Sequence, residues 1–109
     1  MTVHTNSDGP VAVITIDRPE VRNAVDRDTA EALGSAFDAA DADEDTSVIV
    51  LTGSSGTFCA GADLKALSDG RGNRVTEPDV VGIVDSLGPM GPTRRALSKP
   101  VIAAIEGHA

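Results

Sequence analysis

The sequence has few of the large side chains that usually anchor a hydrophobic core. It contains two aromatic residues, Phe37 and Phe58, and neither Trp nor Tyr. Hydrophobic residues make up 40% of the 109 positions, so Val, Ile, Leu and Ala must supply most of the packing. A chain of this length predicts one domain with a modest core.

Cysteine and long apolar runs are also scarce. The single cysteine, Cys59, excludes an internal disulfide and favours a reducing compartment. No apolar run approaches the roughly 20 residues that cross a bilayer, and residues 1–7 lack the basic start and apolar block of a signal peptide. We therefore expect a cytoplasmic protein that does not bind a membrane.

Positive charge is in short supply. Nine basic residues face 17 acidic residues, which gives a formal net charge of -8. Such a chain repels nucleic acid and anionic membrane surfaces on average, although a local site for a phosphorylated ligand remains compatible with it. We expect no nucleic-acid partner.

The pattern that is present is typical of an α/β protein. Turn residues at 7–10 separate two strand patterns, and Pro19 ends the second of them. A strand, a helix and a further apolar strand then predict a parallel crossover unit. The predicted elements are strands at 3–6 and 11–17, a helix at 28–41, a buried strand at 47–52, a short helix at 63–68, a mobile loop at 69–78, a helix at 79–87, a short helix from 92 or 93, and a buried strand at 101–106.

The helix at 28–41 is predicted by apolar residues at spacings of three and four. Asp28 followed by Glu31 resembles a capping box, so we expect Asp28 to be the N-cap. The acids near the end of this helix have two interpretations, a metal site or a solvated helix end, and the second is favoured because no His or fixed ligand spacing accompanies them. The predicted buried face is Ala30, Leu33, Phe37 and Ala40, and the acids are Asp38, Asp41, Asp43, Glu44 and Asp45.

Small residues at 53–65 connect the strand at 47–52 to the next predicted helix. A Walker A loop needs Lys and then Ser or Thr after its last Gly, but Gly61 is followed by Ala62 and Asp63. The Gly-x-Gly-x-x-Gly fingerprint of dinucleotide-binding proteins is absent from the stretch as well. Two interpretations remain. Small residues permit tight strand-to-helix packing, or they leave main-chain N–H groups bare for a ligand that carries negative charge.

Three motifs follow one another in order along the chain. They are Arg18-Pro19 with Asn23-Ala24, then Phe58-Cys59-Ala60-Gly61-Ala62-Asp63-Leu64, then Lys99-Pro100-Val101-Ile102-Ala103-Ala104-Ile105-Glu106-Gly107-His108-Ala109. This combination resembles the crotonase family, which is the enoyl-CoA hydratase/isomerase superfamily, and it covers essentially all of the chain. Three motifs in order are more specific than any one of them.

The resemblance implies an α/β fold of the crotonase-like (ClpP/crotonase) kind, a spiral of strand-strand-helix units that is incomplete here. Residues 1–109 would be the N-terminal portion of a single domain. It also implies acyl-CoA thioester substrates, as in fatty acid metabolism, and a homotrimer or hexamer at full length. Coenzyme A is then part of the substrate, and we expect neither a separate cofactor nor a metal.

The resemblance further implies a site built from main-chain groups. In this family two backbone N–H groups hold the enolate formed from the thioester, and the first corresponds to Ala62. A preorganised donor of this kind is typically worth about 100- to 1000-fold in rate. The residues that the resemblance assigns to acyl-CoA binding are Asn23, Ala24, Val25, Ala60, Gly61, Ala62, Asp63, Leu64 and Lys65.

One feature of the family pattern has no counterpart in these residues. The family continues past the equivalent of Gly107-His108-Ala109 into a Gly-Gly turn with the second donor, and then to the hydratase glutamates. We therefore expect a fragment that is inactive by itself, within a family of lyases and isomerases. The alternative is a non-catalytic module that binds acyl-CoA or docks on a longer relative through the unpaired edges of its strands at 48–51 and 101–105.

Other polar residues are weaker candidates. Asp63 is expected to cap its helix and Glu106 to end a strand, so neither is favoured for proton transfer. Cys59 is expected to be a small core residue, since no base accompanies it. His4 and His108 lack sequence partners and are expected to be structural or solvent-facing. The cations available for the phosphates of coenzyme A are Lys65, Arg22 and Arg27.

Overall fold

The computed structural model of the protein describes residues 2–70, 91–92 and 97–109, apart from the side chain of Leu67. The helix predicted at 79–87 lies outside these residues. The same is true of most of the loop predicted at 69–78 and most of the short helix predicted from 92 or 93.

Four described strands form one sheet. They are β1 (Val3–Asp8), β2 (Val11–Ile16), β3 (Val48–Gly53) and β4 (Val101–Ala104). β1 pairs antiparallel with β2, whereas β2 pairs parallel with β3 and β3 pairs parallel with β4. The order across the sheet is β1-β2-β3-β4. The predicted hairpin and the predicted parallel crossover are both confirmed.

The hairpin turns at Gly9 and Pro10. Gly9 has φ of +58°, a left-handed conformation that glycine adopts without the steric cost of a Cβ. Along β2, buried residues alternate with half-buried ones, and Ala12, Ile14 and Ile16 are 2%, 0% and 2% exposed. This period of two places one face of β2 in the core.

The helix α1 (Arg27–Ala42) covers that face of the sheet. Its predicted apolar face is confirmed, because Ala30, Leu33, Phe37 and Ala40 are all buried. Phe37, at 2% exposure, belongs to one core cluster with Ile14 and Ile49. In the part of the chain that the structure describes, no helix has both the length and the apolar character to cross a membrane.

The predicted N-cap of this helix was wrong. Asp26, not Asp28, is the cap, and its Oδ1 accepts a hydrogen bond from the Thr29 N–H at 2.8 Å. Asp26 has the extended backbone of an N-cap, with φ of -90° and ψ of -178°. Asp28 lies inside the first helical turn. Two aspartates two positions apart give the same local signal, and the chain begins its helix at the earlier one.

The acidic end of α1 is held by residues just before β4. The Lys99 ammonium donates to the main-chain oxygens of Ala40, at 2.8 Å, and of Asp43. The Asp41 carboxylate accepts from the Ser98 N–H at 3.0 Å and the Lys99 N–H at 3.1 Å. Desolvation opposes ionisation of Asp41, but these hydrogen bonds outweigh it and lower its pKa below the ordinary 3.8. The cation therefore offsets the unfavourable placement of acids at a helix C-terminus.

The predicted burial of the last two strands is only partly right. Ile49 in β3 is fully buried, while the rest of β3 is half-buried. β4 is exposed throughout, with Val101 at 42% and Ile102 at 56%. β4 pairs with β3 on one side, and α1, the helix that covers the other strands, does not contact it. The prediction failed because an apolar sequence shows a capacity for burial and does not show which element supplies the cover.

Candidate functional site

A tight turn after β2 begins the candidate site. Residues Pro19–Val21 form a single 3₁₀ turn, and Arg22 and Asn23 follow in the left-handed region with φ of 53° and 58°. The Asn23 N–H donates to the Arg18 oxygen at 2.8 Å, which closes the turn. Asn tolerates this conformation better than most residues, because its short side chain bonds to nearby backbone.

The Asn23 side chain joins this turn to the loop after β3. It is 0% exposed. Its Oδ1 accepts from the Arg18 N–H at 2.7 Å, and its Nδ2 donates to the Ser54 oxygen at 3.0 Å and the Thr57 oxygen at 2.7 Å. Because the amide is fully engaged inside the protein, Asn23 can meet a ligand only through its main chain.

The loop after β3 is packed closely on itself. A Cβ at Gly53 would lie 2.2 Å from the Phe58 oxygen and 2.3 Å from the Thr57 oxygen, so only glycine fits there. The Phe58 N–H donates to the Glu106 oxygen at 2.8 Å, which ties the loop to the segment after β4. The loop therefore leads into Ala62 from a fixed position.

Ala62 lies opposite Val25 in an isolated parallel bridge. The Val25 N–H donates to the Gly61 oxygen at 2.8 Å, and the Asp63 N–H donates to the Val25 oxygen at 2.9 Å. In a bridge of this kind the bonds come from the residues on either side of Ala62, so its own N–H points away from Val25. Ala62 is exposed, and nothing within residues 2–70, 91–92 and 97–109 accepts a hydrogen bond from its N–H. The bridge thus holds a bare donor in a defined direction.

Asp63 is the cap of the short helix α2 (Leu64–Ser68), as predicted. Its Oδ1 accepts from the Ala66 N–H at 3.1 Å, and the residue is 7% exposed. Its Oδ2 lies 3.1 Å from Nη2 of Arg18. The Ala66 hydrogen bond, followed by the Arg18 contacts, outweighs desolvation and lowers the pKa of Asp63 below 3.8. The carboxylate stays ionised and engaged, which disfavours it as a proton donor.

Arg18 contacts three residues, two of them just before α1 and one just before α2. Besides Asp63, its guanidinium donates to the Ala24 oxygen and lies 3.5 Å from Oδ2 of Asp26. Sequence reasoning used Arg18 as a family motif residue and assigned it no role, and it overlooked Asp26. The sequence offered only an indirect signal for this cluster, namely an arginine after a strand and an aspartate at the start of each of two helices. Only the fold shows that they meet.

An apolar cavity of about 210 Å³ adjoins the bridge. Val25, Phe58, Cys59 and Gly61 are among the residues that line it. Cys59 is a buried free thiol at 6% exposure, and its Sγ accepts from the Gly61 N–H at 3.4 Å. The prediction that Cys59 is a small core residue is confirmed. An apolar space lined by Val25 and Gly61 of the bridged segments suits the apolar chain of a ligand.

Of the predicted binding residues, Val25 and Gly61 line this cavity. Ala24 and Val25 are buried, Gly61 is half-buried, and Ala60, Leu64 and Lys65 are exposed. The bonds of Val25 to Gly61 and Asp63 bring the segments 23–25 and 60–65 together. Arg22 is also exposed, and its main-chain oxygen accepts a hydrogen bond from the Ala60 N–H at 3.0 Å.

His4 has a partner that the sequence did not indicate. Its Nε2 lies 2.9 Å from Oδ2 of Asp17, and the Ser54 hydroxyl donates to Oδ1 of the same carboxylate at 2.9 Å. The hydrogen bonds from Ser54 and His4 lower the pKa of Asp17 below 3.8. Because Asp17 lies between the other two side chains, this is not the serine–histidine contact that activates a nucleophile. Both histidines are exposed, as expected.

The described ranges contain no group of three or more His, Cys, Asp and Glu side chains that could hold a metal ion. Of the acidic cluster, Asp41 and Asp43 accept hydrogen bonds from the chain itself. Asp43 accepts from the Asp45 N–H at 2.9 Å and the Thr46 hydroxyl at 3.2 Å. These contacts agree with the interpretation of the cluster as a helix end.

Comparison with known sequences gives one consistent family. The profile of the family described as Enoyl-CoA hydratase/isomerase matches residues 6–109. An enoyl-CoA hydratase of Mycobacterium tuberculosis is 37% identical, over 93% of this chain and 37% of its own length. A probable peroxisomal enoyl-CoA hydratase of Arabidopsis thaliana is also 37% identical, over 93% of this chain and 35% of its own length.

Comparison with solved structures agrees. The crystal structure of an enoyl-CoA hydratase from Mycobacterium marinum superposes with a TM-score of 0.82 at 40% identity, covering 97% of this chain and 38% of that one. A probable enoyl-CoA hydratase/isomerase from Mycobacterium abscessus gives a TM-score of 0.80 at 39% identity, with the same two coverages of 97% and 38%. The chain thus spans less than half the length of these proteins.

Proposed function

Because this chain belongs to the enoyl-CoA hydratase/isomerase family and has its crotonase-like α/β fold, we propose that it acts on acyl-CoA thioesters, with the Ala62 N–H as a donor to the thioester oxygen. The observation that supports the proposal is the bare, exposed N–H of Ala62, held by the Val25 bridge beside an apolar cavity. Such a donor does not have to break a bond of the protein in order to bind the substrate.

The chemistry follows from where charge develops. When a proton leaves the carbon next to a thioester carbonyl, or when water adds to the conjugated double bond, electron density moves onto the carbonyl oxygen. An N–H fixed in place stabilises that oxygen more in the transition state than in the ground state. Its contribution is typically about 100- to 1000-fold in rate. Because Ala62 is held on both sides by Gly61 and Asp63, little reorganisation accompanies this step.

The two segments joined by Val25 form the proposed binding surface for acyl-CoA. The main chain of residues 23–25 would run beside the pantetheine and adenine, and residues 60–65 would contact the thioester end. The Lys65 ammonium, on an exposed helical residue, is the first candidate to meet a phosphate. The cavity beside Gly61 would take the apolar acyl chain.

We further propose that these 109 residues supply the first oxyanion donor and do not complete the catalytic machinery by themselves. The resemblance assigns the second donor and the proton-moving glutamates to positions that follow this segment in the family. The reaction of the whole protein, hydration or isomerisation, would be set there. The full protein would be cytoplasmic, act as a homotrimer or hexamer, and use no metal or cofactor beyond the coenzyme A of its substrate.

The experiment that tests the donor is amide NMR of the chain titrated with crotonyl-CoA. The Ala62 amide proton should move downfield on binding, as expected for a new hydrogen bond to oxygen. Ala62→Pro removes this N–H, and it leaves both bridge bonds intact because Gly61 and Asp63 supply them. Binding should weaken at least tenfold in this variant, whereas unchanged binding would contradict the role of Ala62.

Leu64→Pro is the matched control. Leu64 is the first residue of α2 and is 76% exposed, and proline is favourable at the first helical position. It removes an N–H two residues away from the proposed donor. Leu64 belongs to the proposed contact surface but is not the proposed donor, so binding should weaken clearly less in Leu64→Pro than in Ala62→Pro. An equal loss in both variants would show that the N–H of Ala62 has no special role.

A second candidate function is a non-catalytic module that binds acyl-CoA or docks on another protein. It is favoured by the exposed apolar residues of the β4 region, with Ile102 at 56% and Ile105 at 54%. Calorimetry with crotonyl-CoA and light scattering separate the two functions. Tight binding by a monodisperse 109-residue chain would support the module, whereas association with weak binding would support a segment of an enzyme.

A further inference from the structure

We propose that Arg18 is the positioning residue for the Ala62 N–H, an inference that rests on the proposed function of Ala62 as a donor. The guanidinium of Arg18 binds to the two chain segments whose bridge fixes that N–H. The role is distinct from substrate contact and is assigned here from geometry.

The contacts of Arg18 flank the bridge on both sides. Nη1 donates to the main-chain oxygen of Ala24, the residue before Val25. Nη2 lies 3.1 Å from the carboxylate of Asp63, the residue after Ala62. One planar group therefore joins the two strands of the bridge next to the point where Ala62 faces Val25.

Asp63 links the Arg18 contact to the bridge through two separate groups, its main-chain N–H and its carboxylate. Its main-chain N–H donates to the Val25 oxygen at 2.9 Å, and its carboxylate accepts from the Ala66 N–H at 3.1 Å and from Arg18. If the carboxylate turned away, the α2 cap and the bridge bond would both lose their support. The direction of the Ala62 N–H depends on the same peptide chain, one residue earlier.

The third acceptor of the Arg18 guanidinium, Asp26, lies at the start of α1. Nη2 of Arg18 lies 3.5 Å from Oδ2 of Asp26, whose other oxygen caps α1. One cation thus contacts the capping aspartates of both described helices. The side chains of Arg18, Asp26 and Asp63 are 13%, 16% and 9% exposed, so solvent screens the cluster poorly.

Removing the charge of Arg18 should change the protonation of the carboxylates next to Ala62 and, through them, the direction of its N–H. Without Arg18, two poorly solvated carboxylates would face each other, and each would favour the protonated form. Burial already opposes ionisation of Asp26, and the hydrogen bonds from Thr29 and the charge of Arg18 outweigh it and keep the pKa of Asp26 below 3.8. Near this cluster the described charged groups also include Arg27 and Asp28, which line one polar cavity with Asp26, and the exposed Lys65.

A lysine could not reproduce the arrangement. An ammonium on a flexible stem is a point charge, whereas the guanidinium presents a fixed fork of donors. Arg18→Lys should keep the carboxylates ionised but should not bond Ala24 and both acids at once. The two variants, Arg18→Met and Arg18→Lys, therefore separate the charge of Arg18 from its geometry.

The test follows the Ala62 amide resonance of the ligand-free chain between pH 3 and pH 8. In the unchanged chain we expect its transition below pH 4, with the ionisation of Asp26 and Asp63. In Arg18→Met the midpoint should rise by about one pH unit or more, the usual effect of removing an opposite charge. In Arg18→Lys the midpoint should stay low, and the amide should shift at every pH.

The control is Lys99→Met, which removes a cation that binds the Ala40 and Asp43 oxygens at the other end of α1. It should leave the Ala62 resonance and its midpoint unchanged. A folded Arg18→Met whose Ala62 resonance matches the unchanged chain would overturn the proposal, and so would an equal change in Lys99→Met. If Arg18→Met does not fold, an unshifted Ala62 amide in Arg18→Lys would overturn it.

Adding crotonyl-CoA to the same samples separates this proposal from the proposed function. If the unchanged chain binds, the affinity of Arg18→Met should fall about tenfold or more, since misplacing a group by about 1 Å can cost about 100-fold in a reaction. If the unchanged chain does not bind, the function of Ala62 is contradicted, and the ligand-free titration still decides the role of Arg18.

Discussion

Replacing Asn23 with alanine should destabilise the protein more than any single surface change. The Asn23 side chain is 0% exposed and makes three hydrogen bonds to main-chain groups, those of Arg18, Ser54 and Thr57. A hydrogen bond contributes about 0.5–1.5 kcal/mol net, and more when its partner is left buried and unsatisfied. Alanine at a φ of 58° adds about 1–2 kcal/mol of strain.

These contributions add to about 2.5–6.5 kcal/mol, against a typical total stability of about 5–15 kcal/mol. The assay is urea unfolding followed by circular dichroism, in which the midpoint should fall by about a sixth at the least. Asn23→Gly is the matched control, because it loses the same hydrogen bonds and keeps the freedom to adopt positive φ. It should recover about 1–2 kcal/mol relative to Asn23→Ala. A loss below about 1 kcal/mol in Asn23→Ala would refute this account of the turn.

Three further predictions concern the caps, acid stability and the last turn. Asp26→Ala should cost about 1 kcal/mol in urea unfolding and Asp28→Ala clearly less, and the reverse order would restore Asp28 as the cap. Because the pKa values of Asp26 and Asp63 are lowered in the folded state, their ionised forms stabilise the fold above pH 4. This stability should be lost as the pH falls through their folded pKa values, and a urea midpoint that rises below pH 4 would contradict the prediction. Gly107→Ala should lower the free energy of unfolding by about 1–3 kcal/mol, because Gly107 has φ of +65° and a Cβ there would lie 2.6 Å from the Gly56 oxygen. An unchanged melting temperature in this variant would contradict the prediction.

Local patterns were sufficient for the hairpin and for α1. The alternation along β2 and the spacing of Leu33 and Phe37 reflect the periods of a strand and a helix, which need no distant contact to be read. Asp63 was predicted as a cap for the same reason. The cap of α1 was misplaced because Asp26 and Asp28 both precede a helical pattern, and the choice depends on backbone geometry.

The remaining features depend on contacts between distant parts of the chain. β4 is exposed because α1 does not cover it. The apolar sequence around Ile102 does not show whether another element lies over the strand. The Arg18 cluster joins positions 18, 26 and 63, and the sequence gives each of them a separate local explanation. The proposed main-chain site at Ala62 has no side-chain signature, so the sequence indicated it through the small residues around it and, more specifically, through the family resemblance.

Ala62 as the donor to the thioester oxygen is tested by following its amide proton during titration with crotonyl-CoA, in the unchanged chain and with Leu64→Pro as control. We expect a downfield shift that saturates with binding. In Ala62→Pro we expect binding at least tenfold weaker, with little change in the unfolding midpoint. An Ala62 amide that stays in place while crotonyl-CoA binds would contradict the claim that this N–H receives the thioester oxygen.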